Sequence, residues 1–526
     1  MSVYPEFTLH DLLRNTAELY PGKTAIVDGK AEFTYEDMAR QSDALCAALQ
    51  DAGVEKGDRV GILMEKSWEA IVAMLAASQA GAAFVNLNPL FKPPQVSYVA
   101  QDCDIRVILG DSEKLAVMEP GTTKRAFYRG ERPDSEGVSG ELTDLAEVLR
   151  SGVSPSEIRH VSEVDLGTIL YTSGSTGMPK GVSTSQHNLV VGAQIVSTYL
   201  ENTKEDRILS ALPLNFDAGL NQFTTALRVG ATLALQRSRL PGDLLKGLRR
   251  HEITGVVGVP PLWSLLLRSA KSLEEEPLTY LRYISNTGGR IPQANLDELR
   301  RLLEPSGTKI YLMYGLTEAF RSTYLPPEEI GRGTECIGKA IPDTQIMVIN
   351  KEGKECAPGE VGELVHRGPT VAMGYWGKEE ATRKAYRPNP LAPPELLDVE
   401  RVVYSGDNVR RDEEGFLYFI GREDGMIKSQ GYRMSPEEIE NLLIGSGLVH
   451  EACAFGLPDP DLGHQVMAVV SLKSGGEGTI DEIREYAAKN GPPYMVPKEI
   501  FVQDDLPKTG SGKIDRKGIS NAYTNG

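Results

Sequence analysis

Residues 171–182 read YTSGSTGMPKGV, directly after an apolar GTIL that predicts a buried strand. Gly174 and Gly177 let backbone N–H groups approach a ligand closely, and Thr172, Ser173, Ser175 and Thr176 add hydroxyls. Lys180 adds one positive charge. Such a loop can cradle an anion, most naturally a polyphosphate. A short Gly/Ser run also serves as a plain turn or linker, so the rest of the chain has to decide. It is not a Walker loop, because Gly181 follows the lysine where Ser or Thr is required. KTGSGKID, near the end of the chain, fails the same pattern at Ile514.

Four further segments carry groups that a nucleotide site needs. YLMYGLTEA (311–319) ends a predicted strand with Met313, Tyr314, Thr317 and Glu318. VVYSGDNV (402–409) ends another with Asp407 after a glycine. GREDGMIKSQGYR (421–433) holds Arg422, Lys428, Gly431 and Arg433, and LPKTGSGKIDRK (506–517) places Lys513 among glycines. An aromatic ring can stack on a base and a carboxylate can take two ribose hydroxyls. Cations and N–H groups can hold phosphates beside a magnesium-binding acid. Each segment alone is an ordinary strand end or loop; the combination is not.

In this order the motifs resemble the adenylate-forming (AMP-binding) superfamily of acyl-CoA synthetases, peptide-synthetase adenylation domains and firefly luciferase. The likeness runs from TYEDMARQSDALCAALQ to GKIDRK, nearly the whole chain. It implies an AMP-forming ligase that uses ATP and Mg²⁺ to convert a small carboxylic acid to an acyl-adenylate and pyrophosphate. The acyl group then passes to a thiol, that of coenzyme A or of the phosphopantetheine arm of a separate acyl or peptidyl carrier protein.

By the same resemblance, the loop from Thr172 to Gly177 and Lys180 would steady the β- and γ-phosphates. Tyr314 would stack near adenine, with Gly288 and Gly289 of NTGGRIP lining that pocket. Thr317 would touch the α-phosphate, and Glu318 would hold Mg²⁺. Asp407, helped by Arg422, would bind the ribose, and Lys513 would bridge the substrate carboxylate and the nucleotide oxygens. Asp424 would be the hinge about which the small domain turns, bringing the Gly431 loop and Arg433 to the site for the thioester step. Arg290 departs from the family pattern, which has a small residue there.

The substrate segment is LPLNFDAGLNQ (212–222), with Phe216, Asp217 and Asn221 as candidate pocket residues, joined by Met313 from the strand before Tyr314. Many acyl-CoA synthetases carry histidine where Phe216 stands. Amino-acid-activating domains resemble the segment more closely, with an aspartate that pairs the substrate ammonium. Asp217 could equally cap a helix beginning near Gly219. Arg321, in TEAFRSTY, suits a polar or acidic substrate better than a long alkyl chain. The leading expectation is an acyl-CoA synthetase-like enzyme. The alternatives are a stand-alone amino-acid adenylating enzyme that loads a carrier protein and, remotely, a non-catalytic nucleotide-binding regulator. Only thirteen residues follow Lys513, so no carrier domain is expected on this chain.

The elements that must position these residues alternate along the chain. TYEDMARQSDALCAALQDAG (34–53) predicts an amphipathic helix stopped by glycine, and DRVGILM a buried strand after it. Repetition of that pattern predicts α/β layers with largely parallel sheets. The expected architecture is a large multi-layer α/β region over 1–421 that includes a small β subdomain. A hinge at 422–425 joins it to a small mobile α+β domain over 426–526. Ser435, Pro436 and Glu438 mark the start of that domain's first helix, with another expected near 480–490.

Composition narrows the rest. At 526 residues, 40% apolar and 25% charged, the chain reads as an ordinary soluble globular protein. A net charge of −17 argues against general nucleic-acid binding. Five scattered cysteines without C-x-x-C predict reduced thiols, and the histidines show no metal-binding spacing. AIVAMLAASQAGAAFVNL (70–87) is interrupted by polar residues, so it predicts a buried helix and strand and no membrane span. With no signal peptide or lipidation motif, the expected location is the cytoplasm.

Overall fold

A computed structural model describes residues 5–157, 159–172, 179–238, 240–422, 426–473, 479–508 and 514–524. Two sheets organise the N-terminal region. In the first, Thr24–Asp28, Thr232–Leu235, Arg207–Ser210, Gly255–Gly258, Tyr283–Asn286 and Lys309–Tyr314 lie side by side and parallel. It continues, largely antiparallel, through Thr323–Leu325, Cys336–Ala340, Leu417–Arg422, Arg401–Arg411, Val361–Arg367 and Gln345–Ile349. In the second, Leu166–Thr172, Ala83–Asn86, Arg59–Leu63, Ile105–Asp111, Thr123–Arg129 and Val138–Asp144 are successive parallel neighbours.

Burial explains why these strands read as continuous apolar runs. Ala83–Asn86, Thr232–Leu235, Gly255–Gly258 and Tyr283–Asn286 are buried at every residue, as parallel strands covered on both faces must be. The helix Tyr35–Asp51 starts on a capping box between Thr34 and Asp37 and is followed by Gly53 at φ +75°. The helix Trp68–Gln79 buries ten of its twelve residues, which is why it lacks a polar face. Among the described residues no helix is long and apolar enough to cross a membrane.

The chain divides into two compact units, and the main break falls between Gly421 and Arg422. The described residues from Arg422 onward belong to the smaller unit. Its sheet is built on the long hairpin Val449–Asp459 and Gly463–Leu472, with Glu499–Val502 parallel to the second strand. The helix Pro436–Ile444 opens on the Ser435/Glu438 capping box, with Pro436 in its first turn. Ile480–Asn490 is the second expected helix; Arg516–Thr524, a third, carries no comparable start signal. Arg516 donates to both oxygens of Glu440 at 2.8 Å, tying that last helix to the first.

Candidate active site

Neighbouring parallel strands deliver their carboxyl ends to one place, where open α/β sheets bind ligands. Tyr283–Asn286 and Lys309–Tyr314 pair in register, Asn286 opposite Leu312, so Thr287-Gly288-Gly289 and the 315–321 segment leave the sheet side by side. Gly288 has φ +71°, and a Cβ there would sit 3.0 Å from Val259 Cγ1. Asn286 receives the Trp263 indole N–H at 2.9 Å and donates to the Gly289 carbonyl at 2.9 Å, which fixes the turn from below. Arg290 leaves this wall: it donates to the buried Thr334 hydroxyl and pairs with Glu335 at 3.2 Å, Arg290 and Glu335 both being well exposed. Its departure from the family pattern is a surface ion pair.

Asp407 is only 2% exposed and accepts a hydrogen bond from the Tyr314 hydroxyl. The sequence predicts a strand ending at Asp407, but the strand runs on to Arg411 and bulges there. Val365 pairs Tyr404 and Glu363 pairs Asn408, so three residues oppose one. Gly406 takes φ +72° inside the bulge. Glu363 accepts from the Gly406 N–H at 2.8 Å and Ser405 Oγ from the Asp407 N–H at 3.1 Å. Those bonds satisfy backbone groups that the bulge removes from the ladder. The bulge is what aims a buried carboxylate at Tyr314.

Thr317 and Glu318 lie on a short 3-10 turn after that strand. The Tyr375 hydroxyl donates to Glu318 Oε1 at 2.7 Å, and the Ala372 N–H donates to the Glu318 carbonyl at 3.0 Å. The chain then reverses through Phe320 at φ +59°, closing a tight turn from the Arg321 N–H to the Ala319 carbonyl. A side chain held at positive φ is strained, so the surroundings must impose it. The buried Phe320 ring supplies part of that constraint: a Cβ on Gly192 would come within 2.9 Å of it. The Ser322 N–H closes the loop on the Tyr314 carbonyl.

His366 braces Ser322 from behind, with Nδ1 2.9 Å from Ser322 Oγ and Nε2 3.0 Å from Thr370 Oγ1. Complete burial lowers its pKa from 6.5 to about 3. A depressed folded-state value gives stability that is present above pH 6.5 and lost as pH falls toward 3. We expect acidification from about pH 6.5 to about pH 5 to cost this histidine roughly 2 kcal/mol of folding stability. His366→Gln should flatten that part of the profile in urea titrations; an unchanged slope would remove His366 as its source.

The substrate segment wraps the start of the helix Asp217–Val229. Asp217 does not stand at the cap position. Phe216 occupies it, the first helical bond runs from the Leu220 N–H to the Phe216 carbonyl, and the Asp217 carboxylate takes backbone N–H groups of the first turn, its own and that of Ala218. Gly219 sets that start, because a Cβ there would lie 1.9 Å from the Pro213 carbonyl oxygen. Gly219→Ala should therefore cost about 1–3 kcal/mol of stability, measured by chemical denaturation, as overpacking against backbone does. Asp217 Oδ2 instead lies 3.7 Å from Arg321 Nη1, with side-chain exposures of 17% and 3%. Burial pushes the Asp217 carboxyl up, and Arg321 opposes that shift. Asn221, one turn along, is buried, as is Met313, whose sulfur lies 3.6 Å from the Tyr199 hydroxyl.

The expected phosphate-loop residues Ser173, Gly174, Ser175, Thr176 and Gly177 lie outside the described residues, as do Asp424 and Lys513. Thr172 ends the strand before that loop, and Lys180 opens the strand Lys180–Ser185 after it, next to the first in the sheet. Arg422 ends the strand Leu417–Arg422. In the smaller unit Gln430 and Gly431, at φ +55° and +82°, form the two-residue turn of a hairpin in which Ser429 pairs Tyr432 and Lys428 pairs Arg433. Lys508 and Ile514 bridge across residues 509–513, and Lys508 pairs with Glu451 at 2.9 Å. The roles of Tyr375, Gly192, Thr287 and His366 carry no motif in the sequence.

A family profile described as AMP-binding enzyme matches residues 13–376, and one described as AMP-binding enzyme C-terminal domain matches 438–513. The chain belongs to the AMP-binding enzyme family. Bacitracin synthase 3 of Bacillus licheniformis is 30% identical over 97% of this chain, which covers 8% of that protein. Tyrocidine synthase 1 of Brevibacillus parabrevis is 28% identical over 97% of the chain, which covers 45% of it. The chain thus spans less than half the length of these curated relatives. Among solved structures, an o-succinylbenzoate CoA synthetase from Bacillus subtilis matches with a TM-score of 0.81 at 25% identity, over 97% of this chain and 98% of that one. The mixed α/β architecture of this AMP-binding enzyme is the one its motifs imply.

Proposed function

We propose that this AMP-binding enzyme activates a non-amino carboxylic acid with ATP and passes the acyl group to an external thiol. The observation that carries the choice of acid is the Asp217–Arg321 pair: the carboxylate that could take a substrate ammonium has a buried cation of its own. In the first step a carboxylate oxygen bonds to the α-phosphorus as the bond to pyrophosphate breaks. Both reactants are anions, so positioning and charge neutralisation are the work of the site.

Tyr314 and Asp407 offer a ring and a carboxylate to base and ribose, while Gly288 and Gly289 leave room beside the ring. Thr317, Thr172 and Lys180 face phosphate oxygens, helped by Ser173, Gly174, Ser175, Thr176 and Gly177. Lys513 brings a cation to the reacting carboxylate. Glu318 supplies a hard oxygen of the kind Mg²⁺ prefers, held in place through Tyr375. Bound there, the metal would offset negative charge developing on the phosphates.

The thiol acceptor is not one of the protein's own cysteines. All five are buried, and burial pushes the Cys46 and Cys453 thiols up to about 12 and Cys103 to about 11. In the second step an external thiolate attacks the acyl carbonyl and AMP leaves. Rotation at 422–425 about Asp424, bringing Gly431 and Arg433 forward, would exchange the two half-reactions. Coenzyme A is the simplest acceptor, and a cytoplasmic setting supplies both ATP and reduced thiols.

A second reading, amino-acid activation for loading a carrier protein, draws on the likeness to bacitracin synthase 3 and tyrocidine synthase 1. Thioester formation assayed with coenzyme A and with a phosphopantetheinylated carrier tests the acceptor. Acyl-CoA as product supports the first reading, and acyl-carrier without acyl-CoA supports the second.

A further inference from the structure

Several buried polar groups meet at the substrate segment with their hydrogen-bonding capacity only partly used. Asp217 and Asn221 stand four residues apart on one helix and so share a face. Arg321 approaches that face from the loop after Glu318. Its Nη1 lies 3.7 Å from Asp217 Oδ2 and 3.5 Å from Thr287 Oγ1, both long contacts. Arg321 is 3% exposed and Asn221 2%. Even so, Arg321 Nε and Asn221 Nδ2 donate to no described residue. A Cβ on Gly192 would lie 2.9 Å from the Phe320 ring and 3.7 Å from Asn221 Nδ2, which places the amide close to the Phe320–Arg321 turn. Buried donors of this kind are satisfied in nearly every folded protein, and here the binding of an acceptor would satisfy them.

Charge decides which acceptor. Asp217 and Arg321 already balance, so a substrate ammonium would set two cations against one carboxylate. A second substrate carboxylate would set two anions against one guanidinium. Either leaves an uncompensated charge in a buried site, which is costly. An uncharged oxygen accepts from both donors and leaves the pair neutral.

We infer that the acid activated by this chain carries a second, uncharged oxygen acceptor, a hydroxyl or keto group, which Arg321 and Asn221 recognise. The inference rests on the acid-activating reading above. ATP–pyrophosphate exchange should be measured on the wild-type protein with two matched series. One is butanoate with its hydroxy, oxo and amino derivatives and glutarate; the other is benzoate, salicylate, anthranilate and phthalate. The hydroxy or oxo member should exceed the others in its series by about tenfold or more in kcat/KM, and Arg321→Met should collapse that ratio by about tenfold.

A plain, amino or dicarboxylic acid ranking first in the wild type overturns the inference without reference to any variant. So does an unchanged ratio in Arg321→Met with wild-type thermal stability. Asn221→Leu supplies the second variant, with the same direction expected. Exchange with no acid at all would instead overturn the acid-activating reading, and this inference with it.

Discussion

Glu318→Gln should lower kcat for acid-dependent ATP–pyrophosphate exchange by on the order of a thousandfold while leaving the fold intact. The substitution keeps the shape of the side chain and an oxygen for the Tyr375 hydroxyl, which donates to Glu318 at 2.7 Å. What it removes is the negative charge and the hard anionic ligand, and metal stabilisation of transferring phosphoryl charge is worth several kcal/mol. Tyr375→Phe separates holding from binding. It leaves the carboxylate and loses only its orientation, so its loss should be about tenfold to a hundredfold and partly recovered at high magnesium. Near-normal exchange in Glu318→Gln would show that the metal is held elsewhere.

Asp407→Ala should raise KM for ATP about a hundredfold or more, with a smaller effect on KM for the acid. A carboxylate that takes two ribose hydroxyls makes two charge-assisted hydrogen bonds, each worth roughly 1.5–3 kcal/mol. Asp407 is 2% exposed and already bonded to Tyr314, so it is set in place before nucleotide arrives. Tyr314→Phe should reproduce a fraction of the effect, since it removes the support and not the ligand. Equal rises in KM for both substrates would mean that Asp407 stabilises the loop and does not contact the nucleotide.

The local signals in this chain were legible, and the long-range pairings were not. Ser435, Pro436 and Glu438 mark a helix start within four residues of sequence, and the capping box is there. The helix Trp68–Gln79, buried at ten of its twelve residues, is equally plain from its run of apolar residues. Tyr314 and Asp407, 93 residues apart, meet because one sheet carries both, and Glu318 and Tyr375, 57 apart, meet where the turn after a strand of the first sheet reaches a strand of the second.

Asp407 was expected at the end of a strand; a bulge around Gly406, visible only in the register with Val361–Arg367, places it mid-strand. Asp217 was open between a cap and a pocket residue. The start of the helix is set by Gly219 packed under the Pro213 carbonyl, which leaves Phe216 and not Asp217 at the cap position, a steric fact with no motif of its own. Gly192 is similar: it reads as an unexceptional glycine in an apolar helix, yet it gives the Phe320 ring its place beside Glu318 and Arg321.

Acid-dependent exchange of labelled pyrophosphate into ATP tests the proposed chemistry most directly, because it reports adenylate formation whatever the thiol acceptor. With the purified chain, magnesium and a panel of carboxylic acids, label should enter ATP only when a suitable acid is present, with AMP as the nucleotide product once a thiol is added. Exchange independent of acid, or ADP and phosphate as the products, would contradict it.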